Sequence, residues 1–126
     1  MGLVCGCQLV TGALDAEAMK RSVENLAYDA VVVYSAQVPG TRDGAPVETI
    51  LFTADEENAL FQMFAIAEES AIQWDANVAL AQRLGELIPG DTSLCVAVAC
   101  VDWEDAFECS HSIAAKIAER VPVWGS

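Results

Sequence analysis

The chain has 126 residues, 54% of them hydrophobic and 20% charged, with 6 Lys+Arg against 19 Asp+Glu for a formal net charge of −13. That apolar share excludes disorder and the length leaves room for one core. The charge excludes nucleic acid and anionic lipid as partners, because binding phosphate draws on Lys and Arg. The six cations (Lys20, Arg21, Arg42, Arg83, Lys116, Arg120) are dispersed, only the first two adjoin, and no basic patch can be assembled from them. No apolar run approaches the ~20 residues that cross a bilayer, and the N-terminal residues lack the basic and long apolar regions of a signal peptide. A cytoplasmic protein without membrane or nucleic-acid partners is the expectation.

Residues 3–10 read as a strand, Thr11 and Gly12 as a break, and Asp15 as the cap of a helix running to Leu26 with Glu17 in its first turn. Residues 29–37 (DAVVVYSAQ) are almost continuously apolar and rich in β-branched side chains, which predicts a strand buried on both faces. Residues 38–46 (VPGTRDGAP) hold two prolines and two glycines and predict a loop, and 47–53 alternates as a strand does. From 55 to 74 the apolar residues Leu60, Met63, Phe64, Ala67, Ala71 and Trp74 recur at three and four, the spacing of one helical face. Residues 77–81 suit a short strand, 88–91 (IPGD) a turn, and 93–100 (SLCVAVAC) a buried strand. Asp102 caps a last helix whose core face holds Ala106, Ser110, Ile113, Ala114, Ile117 and Val121, with Phe107 beside it, ending before Pro122. This order predicts one domain over residues 1–126, an α+β or α/β sandwich in which helices cover one face of a mixed sheet.

The residue chemistry points to no active site by itself. His111 is the only histidine, lies inside the last predicted helix, and has no nucleophile motif for company. Cys5 and Cys7, one residue apart in a strand, point to one face but lack the second ligand pair of a zinc site. Structural cysteines are the simpler reading, no metal is expected, and an odd count of five suits a reducing compartment. The carboxylates at Asp55, Glu56 and Glu57 suit a helix N-terminus, and Glu68 and Glu69 a solvated face. Neither a phosphate-binding loop nor a dinucleotide fingerprint occurs, so no cofactor is expected.

Four segments together resemble the large, catalytic subunit of molybdopterin synthase. They are DAVVVYSAQV (29–38), QRLGELIPGD (82–91), VAVACVDWEDAFE (96–108) and VPVW (121–124), in order and without a gap from Gln82 to Trp124. The resemblance implies an α/β hammerhead-like fold and a homodimer whose pocket receives the Gly-Gly tail of a ubiquitin-like sulfur carrier. It also implies sulfur transfer from that carrier onto cyclic pyranopterin monophosphate. The same register makes Pro39, Gln82, Arg83, Asp102, Trp103, Ala118 and Gly125 the substrate-pocket positions. In place of the family's basic residues the chain has Pro39, Gln82, Asp102 and Trp103, and in place of its two catalytic lysines it has Ala118 and Gly125. Arg83 is the one cation kept, and Lys116 and Arg120 lie two residues either side of Ala118, about 200° around the helix from it.

An anionic substrate and an anionic donor call for cations. The expectation is therefore a noncatalytic relative, a binding or assembly module that keeps the framework of Val31 to Val33, Phe64, Trp74, Val96, Val98, Phe107 and Trp124. The alternatives are an active subunit working through Arg83, Lys116 and Arg120, and a structural oligomer or binder of something neutral or cationic with Trp103 filling the vacated pocket. The cleft bounded by Arg83, Trp103 and Ala118 is where these readings diverge.

Overall fold

The computed structural model describes residues 2–126. Its main sheet has four strands in the order β1 (Val4–Val10), β6 (Asn77–Arg83), β8 (Thr92–Cys100) and β2 (Ala30–Gln37). β1 runs parallel to β6, while β8 is antiparallel to both β6 and β2, which makes the sheet mixed. A second sheet places β5 (Ile50–Ala54) between β7 (Gly85–Leu87) and β9 (Val123–Gly125), both antiparallel to it.

The two central strands divide the core by side-chain size. Val78, Leu80, Val96, Val98 and Cys100 face α2 (Glu56–Gln73) and α3 (Trp103–Arg120) and pack on Met63, Ile66, Ile113 and Ile117. The alternate residues Ala79, Ala81, Cys95, Ala97 and Ala99 face α1 (Ala16–Val23) and pack on Met19 and Val23. Period-two alternation of a strand produces this sorting, large residues under two long helices and small ones under one short helix. The helices therefore cover both faces of the sheet, not one as expected, because α1 crosses to the opposite side.

Both N-terminal helix caps form as the sequence predicts. Asp15 accepts from the Ala18 N–H at 3.0 Å and Asp102 from the Asp105 N–H at 2.9 Å. α1 stops at Val23 rather than Leu26, because the Asn25 side chain accepts from the Ala27 N–H at 2.8 Å and folds the chain into an Asx turn, leaving Leu26 fully exposed.

Further expectations are corrected. β2 is an edge strand, part-buried, rather than a strand buried on both faces. The 38–46 loop contains a small hairpin, β3 (Thr41–Arg42) with β4 (Ala45–Pro46), turned by Asp43 (φ 52) and Gly44 (φ 81), the positive pair a two-residue hairpin requires. The strand expected at 47–53 occupies Ile50–Ala54, the one at 77–81 extends to Arg83, and β7 and β9 were not foreseen. On α2 the buried face is Ala59, Met63, Ile66, Ala67, Ser70 and Ala71, so Leu60 and Phe64 look outward. On α3 Cys109 joins the buried face and Phe107 is exposed, as is Trp124 on β9.

Candidate functional site

The pocket positions fall into two groups at opposite ends of the main sheet. Gln82 and Arg83 end β6, and Gln37, opposite Thr92 at the start of β8, leads into Pro39. Val38 is hydrogen-bonded both ways to the turn below, donating to the Asp91 carbonyl at 2.9 Å and accepting from the Gly90 N–H at 2.9 Å. Asp91 in turn pairs with Arg83 at 3.7 Å, so Pro39, Gln82 and Arg83 form one neighbourhood. Asp102 and Trp103 follow Cys100, which lies opposite Ala30 at the far end of β8. A β6 of seven residues spans about 20 Å. One chain therefore does not bound a cleft with Arg83 and Trp103, and the expectation that it does is corrected.

α3 leaves from Asp102 and its 18 residues return about 27 Å, bringing Ala118 and then Gly125 back toward the β5 sheet. Ala118 is exposed. Gly125 is exposed, with neighbours on one side only: a Cβ there would meet the Ile50 Cγ2 and the Phe52 ring, each at 3.1 Å. A larger side chain at 125 would shift the Phe52 ring by a few tenths of an ångström.

The three candidate cations are not gathered. Arg83 has the 3.7 Å ion pair with Asp91, and its Nε–H is buried without an acceptor. Arg120 turns to α2, where its guanidinium reaches Glu69 at 2.7 Å and Gln62 at 3.3 Å. Lys116, one turn earlier, is part-buried on α3. Gln82 is buried and donates to the Arg83 carbonyl at 2.9 Å, a bond that orients it along the strand. Reading along the sequence missed Asp91, Phe52, Gln62 and Glu69 as the partners of these positions. Asp91 carried a signal, since an Asp closing an Ile-Pro-Gly-Asp turn has its carboxylate aimed back at the chain; it accepts from the Ile88 N–H at 3.0 Å.

At the far end, Trp103 is 64% exposed and meets Phe107 edge to face with ring centroids 6.2 Å apart. Burial, Asp102 and Glu108 together hold the Asp105 carboxyl above its usual range. Beside them a groove of about 430 Å³ runs between α3 and the free edge of β2, lined by Val32, Tyr34, Phe107, His111 and Ala114. His111 is exposed at the groove.

The cysteines are placed by a bulge. Val4 pairs with Val78 but Gly6 with Ala79, so Cys5 is an extra residue in the ladder. Cys7 packs toward α2 and α3, whereas Cys5 lines a hollow of about 310 Å³ beside α1. The two thiols thus face opposite sides, contrary to the one-face expectation. Burial pushes the Cys7 thiol up to about 11, Cys100 to about 11 and Cys109 to about 12, the state of inert core thiols. Among the described residues no group of three or more His, Cys, Asp or Glu is placed to hold a metal ion. Among the described residues no helix is long and apolar enough to cross a membrane.

A four-stranded mixed sheet between a short helix and two long ones, extended by a three-stranded sheet, defines an α+β protein of the type the resemblance implied. Residues 9–120 match the family described as MoaE protein, and the chain belongs to that family. It is 30% identical over 113 residues to the molybdopterin synthase catalytic subunit of Nostoc, covering 88% of this chain and 68% of that protein. With the corresponding subunit of Pyrococcus abyssi it shares 30% over 95 residues, covering 75% of this chain and 64% of the relative's length. Among solved structures, molybdopterin synthase from Staphylococcus aureus superposes with a TM-score of 0.91 at 23% identity, over 94% of this chain and 88% of that one. A complex of subunits 1 and 2 of the molybdopterin-converting factor from Helicobacter pylori gives 0.79 at 16%, over 94% and 81%.

Proposed function

We propose that this chain is a noncatalytic relative of the molybdopterin synthase large subunit, a homodimeric binding or assembly module in molybdenum cofactor biosynthesis. The observation that carries the reading is the state of the cations. Of the three candidates Arg83 is drawn to Asp91, Arg120 is committed to Glu69 and Gln62, and Lys116 is part-buried on α3, while the positions that resemblance makes catalytic are Ala118 and Gly125. A phosphate and a thiocarboxylate entering this site would meet Asp91, Asp102 and a chain of net charge −13, a potential of the wrong sign.

The free edge of β2 supports the dimer. An antiparallel pairing of β2 with β2 of a second copy sets the Pro39 end of one strand beside the Ala30 end of the other. Trp103 follows the strand that pairs with Ala30, so the two groups of pocket positions, apart in one chain, meet across the two-fold axis. Tyr34, Trp103 and Phe107, all exposed in one copy, are the aromatic side chains such a pairing would have to cover. The Arg83 side chain, 19% exposed, remains a cation for the carboxylate of a Gly-Gly tail.

Sedimentation equilibrium tests the assembly. A dimer is expected, with monomer for the Tyr34→Lys, Phe107→Glu double variant; a wild-type monomer contradicts it. Calorimetric titration with a ubiquitin-like carrier ending in Gly-Gly tests the module: binding reduced by Arg83→Met supports the reading, and no binding removes the carrier from it.

A further inference from the structure

We propose that the outward face of α2 is a docking surface for a basic amphipathic helix of a partner protein. The face is a single stripe, Glu57, Phe61, Phe64, Glu68 and Ile72, spaced at four, three, four and four, the spacing by which two helices meet. Phe61 is 69% exposed, Phe64 48% and Ile72 83%, an unusual apolar load for a helix whose opposite side already supplies the core. A hollow of about 450 Å³ bounded by Asp55, Glu57, Asn58 and Phe61 opens at the start of the stripe, where a partner side chain can seat.

Charge selects the occupant. α2 contains four glutamates and no Lys or Arg. Glu69, on the flank toward α3, is taken by Arg120, but Glu57 and Glu68 stand in line with the two phenylalanines. They are eleven positions apart, about 16 Å along the axis. A helix with an apolar centre and two basic residues at that separation satisfies both carboxylates while burying Phe61 and Phe64.

A second copy of this chain is the wrong partner. In an antiparallel pairing that stacks Phe61 on Phe64 of the copy, the same register sets Glu57 against Glu68 at both ends, and a parallel pairing sets each glutamate against itself. Like charges at matched positions are repulsive in either case. Edge pairing beside the stripe is also disfavoured, because the neighbouring edge strand β1 is broken by the Cys5 bulge.

The test uses the full chain and a lactam-stapled helical peptide of about 18 residues, the length of α2. The peptide is made of Leu and Ala with two lysines eleven positions apart on its apolar face, and a control carries glutamates instead. Fluorescence anisotropy is expected to show binding of the lysine peptide only. Phe61→Ser with Phe64→Ser should weaken it by about tenfold or more. Glu57→Gln with Glu68→Gln should weaken it by roughly threefold to tenfold and flatten its salt dependence. Glu17→Gln with Glu48→Gln, which removes the same charge elsewhere, should leave the affinity unchanged. All six side chains are exposed, so the variants keep the fold. No binding, or equal weakening by both glutamate pairs, overturns the proposal, as does dissociation of a wild-type dimer by the two Phe→Ser changes.

Discussion

Replacing Arg83 by Met removes a charge that the fold does not use well. Two quantities decide the sign. The Arg83–Asp91 pair is 3.7 Å long with side chains 19% and 30% exposed, so it is partly solvated and contributes about 0–1 kcal/mol. Against it stands the enclosed Nε–H with no acceptor, whose burial costs about 1–3 kcal/mol. Met keeps most of the aliphatic stem, and Asp91 keeps its hydrogen bond from Ile88 and its access to water. The balance makes Arg83→Met neutral to stabilising, by up to about 2 kcal/mol. For a chain of this length about 4 °C in Tm corresponds to 1 kcal/mol. Urea unfolding with unchanged slope and a midpoint equal to or above wild type is the expected result. A loss of more than about 1 kcal/mol would refute the reasoning, because the ion pair would then outweigh the orphaned donor.

Three further outcomes follow from the same geometry. Asp105 has a raised folded-state pKa, so its charged form is disfavoured in the fold, and its contribution to stability, present at acid pH, is lost as pH rises through that value. Asp105→Asn should therefore raise Tm at pH 7 and bring no gain at pH 3; an equal effect at both would contradict the electrostatic cause. Asp102→Ala removes the α3 cap and should cost about 1 kcal/mol, read as a lower urea midpoint. Iodoacetamide followed by mass spectrometry should modify exposed Cys5 first and leave Cys100 and Cys109 untouched until urea unfolds the chain, since both are buried and protonated at pH 7. Early labelling of Cys109 would mean that α3 opens locally.

What the sequence disclosed was local. Asp15 and Asp102 sit three residues before the N–H groups they cap, and the valine and alanine run of β8 has a pattern only a covered strand needs. The features that escaped depend on residues far away. The run in β2 is nearly as apolar as that in β8, yet only strand order makes one an edge and the other central. α2 carries apolar residues almost all round, so Leu60 and Phe64 fit the periodicity as well as Ile66, and packing on β1 and β6 decided between them. β7 and β9 are three residues each, too short to show a period. The bulge that separates Cys5 from Cys7 is visible only in the pairing with β6.

The candidate site was legible as a set of substitutions and not as a place. A register along the chain gives Gln82, Trp103 and Ala118 as pocket positions, but it does not say which end of a sheet each occupies. Nor could it say that Arg120 is drawn off by Glu69, since that contact spans 51 residues.

Incubation of the purified protein with a thiocarboxylated carrier and cyclic pyranopterin monophosphate, followed by detection of the dithiolene product, addresses the loss of catalysis most directly. No product above the level of carrier and precursor alone is predicted. Dithiolene formed by this chain, and abolished by Arg83→Ala or Lys116→Ala, would contradict it and make those cations the working residues of a rearranged pocket.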